Sequence, residues 1–451
     1  QISHDIELQF EQLRAQPAQA PSGWLSHFDD PQLSKIVSTA LTQNFSLQEA
    51  RARIDAARAQ ATIAGAPRWP TVDLSAGRQR IKSVSGDLAN TTNRYADSNS
   101  VDVSLAWELD LWGKLSDSSQ AAEYRFQAQQ AQYAAARLSL TGEVTRAWFS
   151  LLANQRLSEV LDGRVDNLQA NLDIINNGYR QGINSALDVY LAKSDLASEK
   201  SGRSAQKNTA QTAVRSLQLL LGHYPSGRVK DLLKAGVSAE QLPALPKLEQ
   251  PLPAGITAQV VSQRFDIKAS FLELHASDKD LAVAHKARFP SFSLTGRVGD
   301  SSEDLKDLLD QGSLAWNLIG NLTQPLFAGG RLKASEAKTR AELRQKEQQY
   351  LNALYTAFNE VESGLNNEVA LREQYQHLAN ARTHAQAAER IAFEQYLQGL
   401  QGYTSVLEAQ RRAFSAQNTL INIQNELLQN RVALYLALGG EAHVKTAQGA
   451  P

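Results

Sequence analysis

The stretch Val101-Asp102-Val103-Ser104-Leu105-Ala106-Trp107-Glu108-Leu109-Asp110-Leu111-Trp112-Gly113 decides how this chain is read. From Val101 to Leu111 the odd positions are apolar, and the even positions from Asp102 to Asp110 are acidic or small. Side chains on a strand alternate between two faces, so this is a strand with one apolar and one polar face. Three other stretches share the pattern. Val72, Leu74 and Ala76 alternate with Asp73, Ser75 and Gly77. Phe292, Leu294 and Val298 stand against Ser291, Ser293, Thr295 and Arg297. Leu314, Trp316, Leu318 and Leu322 stand against Ala315, Asn317, Asn321 and Thr323. The strands are expected at 70–83, 100–112, 290–299 and 313–326. Trp69, Trp107, Trp112, Phe289, Trp316 and Phe327 lie in them or beside their ends. Strands of about 10 residues with an apolar face and flanking aromatics fit a transmembrane β-barrel. A soluble antiparallel sheet packed on a core shows the same alternation. Four strands cannot close a barrel, and bacterial barrels begin at eight, so the barrel reading needs three copies and twelve strands. The stretches joining the strands, Val84–Ser100 and Gly299–Gly312, are polar and read as exposed loops.

Outward from the strands the chain turns helical. No proline occurs in 71–224 or 326–450, and both stretches are rich in Ala, Gln, Leu, Glu and Arg. Proline is the residue most damaging to a helix interior, so its absence permits very long helices. They are expected at 115–178, 187–221, 332–395 and 404–438. Leu161, Val165, Leu168, Leu172, Ile175 and Tyr179 step by four and three. Val406, Ala413, Leu420, Leu427 and Leu434 step by seven, as do Leu407, Phe414, Ile421, Leu428 and Tyr435. Both spacings predict antiparallel helices packed as coiled coils. Small residues such as Ala381, Ala385, Ala388 and Ala392 occupy another face. The helices break at Gly178–Ser185 and Gln398–Gly402, where Gly182 and Gly399 suit left-handed turn positions. Asp188 opens the helix after the first turn, and Ser405 and Glu408 lie in the first turn of the last helix. An acid there also suits helix capping and the helix dipole.

The chain repeats itself. Arg68-Trp69-Pro70-Thr71-Val72-Asp73-Leu74 matches Arg288-Phe289-Pro290-Ser291-Phe292-Ser293-Leu294. Tyr179-Arg180-Gln181-Gly182 matches Tyr396-Leu397-Gln398-Gly399, and 114–222 aligns with 331–439 without a gap at an offset of 217. A period this long is a duplicated half-protein rather than a solenoid unit. The expected organisation is an N-terminal segment 1–34, a first repeat 35–222, a proline-rich link 223–253, a second repeat 254–439 and a tail 440–451. The fold class is therefore mainly α with a small β part and an internal duplication.

Composition excludes several functions. With 46 Lys+Arg against 47 Asp+Glu there is no basic domain for nucleic acid. With no cysteine there are no disulfides, zinc ribbons, iron–sulfur sites or thiol nucleophiles. No stretch approaches the roughly 18–20 apolar residues of a spanning helix. HExxH, Walker A, GxSxG and strand-linked GxGxxG motifs do not occur, so no enzyme, cofactor or metal is expected. His377 and His384, seven apart, read as surface histidines. There is no methionine, and Gln1 reads as a processed or trimmed start.

The assembled pattern resembles the outer membrane factors, the TolC and OprM type channels, and lies nearer the OprM-like multidrug branch. Phe28-Asp29-Asp30-Pro31-Gln32-Leu33, Ala106-Trp107-Glu108-Leu109-Asp110-Leu111-Trp112-Gly113, Gln263-Arg264-Phe265-Asp266-Ile267, Pro325-Leu326-Phe327-Ala328-Gly329-Gly330 and Leu438-Gly439-Gly440 carry it, over about 25–440. The resemblance implies a homotrimer in the outer membrane of a Gram-negative bacterium. Its twelve-stranded barrel would meet lipid, and its α-helical barrel would cross the periplasm. It implies a periplasmic membrane-fusion adaptor and an inner-membrane efflux transporter as partners. It also implies an equatorial collar from the N-terminal segment, the link and the tail, and a lipid anchor, if any, upstream of Gln1.

Site residues follow from the same resemblance. The acidic gate position falls on Asp188 and the gate tyrosine on Tyr396, with Tyr179 its equivalent in the first repeat. A basic gate residue of TolC falls on Gln401, and the two entrance aspartates fall on Ser405 and Glu408. The turns Gln181-Gly182-Ile183 and Gln398-Gly399-Leu400 correspond to the tips that meet the adaptor. The expected function is a passive exit duct for multidrug efflux. A type I protein secretion channel and a soluble coiled-coil scaffold are the competing readings.

Overall fold

The computed structural model describes residues 23–85, 92–235, 242–248, 263–305, 308 and 314–440. Residues 1–22, parts of the link and of the strand-joining loops, 254–262 and the tail 441–451 lie outside the described residues. So do the loop acids Asp307 and Asp310.

Two short helices come first, α1 (Pro31–Gln43) and α2 (Phe45–Gly65), then strands β1 (Thr71–Ser85) and β2 (Thr92–Leu109). A hairpin follows, α3 (Lys114–Arg180) and α4 (Ala186–Leu220). The second repeat runs α5 (Phe265–Lys286), β3 (Ser291–Ser302), β4 (Ala315–Thr323), α6 (Arg331–Leu397) and α7 (Tyr403–Ala437). The duplication is metrically close: α3 and α6 each have 67 residues, and α4 and α7 each have 35. At 1.5 Å per residue the longer helices extend about 100 Å. Both hairpins end at a positive-φ glycine, Gly222 (φ 70°) and Gly439 (φ 75°), which an L side chain would strain.

The strands form one antiparallel sheet in the order β1-β2-β3-β4. Its lower ends correct the expected boundaries. Asp110, Leu111 and Trp112 were expected in a strand but lie beyond β2. The Asp110 carboxylate instead accepts from the Leu115 and Ser116 amides at 2.9 and 2.7 Å, satisfying two free N–H groups at the start of α3. Burial works to raise its carboxyl, but the Ser116 side chain, these two amide bonds and the Lys286 charge together hold it below the usual range. β4 stops at Thr323, before Pro325, which has no amide to give to a ladder.

The upper ends correct a second expectation. Residues 92–100, read as loop, belong to β2, which stays paired with β1 as far as Ser85↔Thr92. Residues 299–302 likewise belong to β3. Pairing continues there while apolar alternation does not, so a period-two pattern loses sight of the strand.

Two compact units divide the chain: 1–51, 132–267 and 353–451 form one, and 52–131 and 268–352 the other. In the first, Trp24, Phe28, Leu33, Trp148, Phe149 and Tyr435 anchor a buried core. Trp24 stacks on Tyr435 at 5.2 Å. Asp30 caps α1 through the Gln32 and Leu33 amides and also accepts from Trp148 Nε1 at 2.7 Å. The described part of the proline-rich link lies on this core through Leu242, Leu245 and Leu248. Arg372 donates to the Leu248 carbonyl at 3.1 Å, and Gln424 donates to those of Leu245 and Pro246. In the second unit, beside the sheet, Asp117 is held by Lys279 at 3.4 Å and Lys286 at 2.5 Å.

The seven-residue steps on α7 are buried from Val406 to Tyr435, except that Phe414 is half-buried. On α3 the run is covered from Leu161 to Ile175, but Tyr179 is 48% exposed and leaves the seam.

Candidate functional site

The two hairpin turns and the first helical turns beside them gather the candidate residues. In the first turn Gly182 sits at φ 75° and its amide donates to the Tyr179 carbonyl at 3.0 Å. The Gly178 carbonyl accepts from Ile183 and Asn184. The Asn184 side chain folds back to donate to the Ile175 carbonyl at 3.0 Å. It fills the space above Gly178, where an added Cβ would lie 2.3 Å from Asn184 Nδ2. Ser185 and Asp188 then form a reciprocal capping box: the Asp188 amide donates to Ser185 Oγ, and the Ser185 amide donates to Asp188 Oδ2.

The second turn is built alike, with Gly399 at φ 73°. Its N-cap, however, is Gly402, which has no side chain to cap α7. Gln401 Nε2 donates to Gln395 Oε1 at 2.7 Å, inside its own hairpin. Glu408 pairs with Arg412 one turn along at 2.7 Å. Ser405 is exposed.

Of the expected gate residues, Asp188 and Tyr396 are close enough to interact electrostatically. Burial raises the Tyr396 hydroxyl, and the Asp188 carboxylate adds to the shift. Tyr179, Gln401, Ser405 and Glu408 are exposed and make no hydrogen bond to either. The tip residues Gln181, Gly182, Ile183, Gln398, Gly399 and Leu400 are all exposed, Ile183 at 75% and Leu400 at 69%. Of the expected interface aromatics, Trp69, Trp107, Trp112, Phe289 and Phe327 adjoin the same end of the sheet. There Trp107 Nε1 donates to the Arg68 carbonyl and Trp112 Nε1 to that of Pro290. Trp316 lies within the sheet, level with Val298, Val103 and Leu74. His377 and His384 join no group of three metal-ligating side chains among the described residues.

Sequence reading missed the polar interior just behind the tips. Arg164 on α3 is 8% exposed at its side chain. Its Nε donates to Glu199 Oε1 on α4 at 2.8 Å, and its Nη1 to the Gln410 carbonyl on α7 at 3.2 Å. Its guanidinium lies 4.7 Å from the Phe414 ring centre and 3.6 Å from Asp195 Oδ2. Arg411 completes the cluster, donating to Asp195 Oδ1 at 3.0 Å. One side chain thereby ties three helices and both hairpins together. Tyr403 packs beside it, 1% exposed, with its ring 5.4 Å from that of Tyr396. Burial first, and then the Asp195 charge, push the Tyr403 hydroxyl up to about 12. The duplication carried the signal for this cluster, because Arg164 and Glu199 correspond at the 217 offset to Ala381 and Ala416.

A family model described as outer membrane efflux protein matches residues 36–223 and 257–440. The chain is 31% identical to the probable efflux pump outer membrane protein TtgC of Pseudomonas putida, over 96% of this chain and 88% of that one. It is 30% identical to the solvent efflux pump outer membrane protein SrpC of Pseudomonas putida, over 92% and 86%. Among solved structures, the Campylobacter jejuni CmeC outer membrane channel superposes with a TM-score of 0.87 at 27% identity, covering 94% of this chain and 89% of that one.

Proposed function

This chain belongs to the outer membrane efflux protein family, and we propose that it forms the outer-membrane exit duct of a tripartite multidrug efflux pump. The observation that carries the reading is the sheet. Its edge strands β1 and β4 each pair with one neighbour only among the described residues. β4 is exposed along its whole length, with Trp316 at 76%, Leu318 at 61% and Leu322 at 61%. In a bilayer an open edge leaves amides and carbonyls without partners, at a cost of several kcal/mol each, so only closed sheets span one. Three copies joined edge to edge give twelve strands and remove every edge.

The protomers form a homotrimer, and solutes pass through its lumen without covalent chemistry. The hairpin turns close the periplasmic entrance through Asp188, Tyr179, Tyr396, Gln401, Ser405 and Glu408. The turns at Gln181–Ile183 and Gln398–Leu400 receive a periplasmic adaptor, and the energy comes from an inner-membrane transporter. Exposed Trp69, Phe289 and Phe327 suit the membrane boundary, where aromatic rings settle. The names of the relatives favour efflux over protein secretion.

Native mass spectrometry in detergent tests the assembly. Three chains of 49.4 kDa each are expected in one particle. A monodisperse monomer that needs no detergent would overturn the reading.

A further inference from the structure

The duplication lets one seam be read against another. Within the chain, α7 lays a stripe of Leu407, Gln410 and Phe414 against the first hairpin. Leu407 is 6% exposed and shares a buried cluster with Ala192 and Ile175. Gln410 is 3% exposed and faces Asn167 at 3.5 Å, while Phe414 lies under Arg164. At the 217 offset this stripe becomes Tyr190, Lys193 and Ala197 on α4. There it is bare: Tyr190 is 70% exposed, and the exposed Lys193 holds its Nζ 5.7 Å from the Tyr190 ring centre.

The receiving side transforms the same way. Ala192, which shares the buried cluster of Leu407, becomes Ala409, and around it Leu168, Asn171, Asp188 and Asp195 of the first hairpin become Ala385, Ala388, Ser405 and Arg412 of the second. These five residues, with Thr404 and Glu408, line a groove of about 460 Å³ between α6 and α7. The hole has lost a leucine and an asparagine to alanines, and the knob has grown from leucine to tyrosine. Within one chain α4 and α7 already meet through Val189, Ala192 and Val406, so the bare stripe and the empty groove are the outer faces of the hairpin pair.

We infer that Tyr190 of one protomer seats in the Ala385–Ala388–Ala409 groove of the next, with Lys193 set against Glu408. This rests on the trimeric reading above and names the contact that closes the ring of helices near the tips. Shape carries it more than charge, since the groove holds both Glu408 and Arg412, paired at 2.7 Å, and Lys193 adds a second cation beside Glu408. The seam between protomers is the weaker of the two. The positions equivalent to Arg164, Glu199 and Arg411 hold Ala381, Ala416 and Ser194, so the cross-linking cluster has no counterpart.

The test replaces exposed Tyr190 with a photoreactive residue, Tyr190→p-benzoylphenylalanine, in the full chain in detergent. Illumination is expected to give covalent dimers and trimers, with residue 190 joined to a peptide within 385–412 of another chain. A particle of trimer mass whose cross-link maps to another segment, or to its own chain, overturns this contact and leaves the trimer standing. A particle of monomer mass overturns the trimeric reading itself. The chain has no cysteine, so the double variant Y190C/A409C gives an independent check. Interchain disulfides are expected in it and not in either single variant, and a trimer without them counts against the contact.

Discussion

Truncating Arg164 to alanine removes four contacts at once: the 2.8 Å bond to Glu199, the 3.2 Å bond to the Gln410 carbonyl, the charge 3.6 Å from Asp195 and the cation over Phe414. Asp195, 6% exposed, keeps Arg411, but Glu199, 18% exposed, keeps no cation among the described residues. Removing one partner from a buried pair costs about 3–5 kcal/mol, because the remaining charge stays desolvated. Glu199 has some access to water, so the lower end applies. About 3 kcal/mol corresponds to roughly a hundredfold change in an opening equilibrium. Hydrogen exchange read by mass spectrometry on the detergent-solubilised protein is the assay. Amides in 186–200 and 403–414 are expected to exchange roughly a hundredfold faster, while those in 114–131 keep their rates. The double variant Arg164→Met/Glu199→Met leaves no unpaired charge at the bond and is expected to recover most of the protection. If R164A alters exchange in neither segment, or if the double variant is as open as the single one, the cluster does not hold the hairpins together.

Three further outcomes follow from separate parts of the fold. Asp30→Ala removes the cap of α1 and leaves Trp148 Nε1, on a fully buried ring, without its acceptor. The loss is about 1 kcal/mol for the cap and about 2 for the orphaned donor, seen as a lower thermal midpoint, with Asp30→Asn milder. Gly178→Ala drives a Cβ into Asn184 and is expected to cost about 1–3 kcal/mol and to speed proteolysis at 181–185; Gly163→Ala, with open space around it, is expected to stabilise α3 by up to about 1 kcal/mol. The Tyr403 hydroxyl titrates near 12 in the fold against an ordinary 10, so its contribution to stability is complete below pH 10 and is lost as pH rises from 10 to 12. Phenolate absorbance should show a late step that Tyr403→Phe removes, and a wild-type curve without that step would contradict the burial argument.

Much of this was legible in the residues. Val101–Leu109 announced its strand by alternation, and proline-free, alanine-rich runs announced helices whose ends fall within two residues of those expected. The reading faltered where backbone pairing runs on without apolar alternation, at 92–100, and where a side chain found a better use, as Asp110 did in capping α3. Tyr179 kept the helical spacing but not the seam, because the hairpin turns over just beyond it. Asp188 was read both as a gate acid and as a helix-capping residue, and its capping box with Ser185 bears out the second of these. The Arg164 cluster escaped because its other members lie 31 to 250 residues from Arg164, and charge on a heptad-bearing helix looks solvated until the partner helices are in place. Comparison of the repeats position by position would have exposed it, since Arg164 faces Ala381 in that alignment.

Conductance across a planar lipid bilayer tests the central claim most directly. Purified protein is expected to insert and give discrete current steps that favour cations, since the proposed trimer would set three copies each of Asp188 and Glu408 near a narrow entrance. In Asp188→Asn/Glu408→Gln the steps persist with reduced cation preference. Protein that associates with the bilayer and yields no steps, in wild type and in the tip-loosening R164A alike, would contradict a channel.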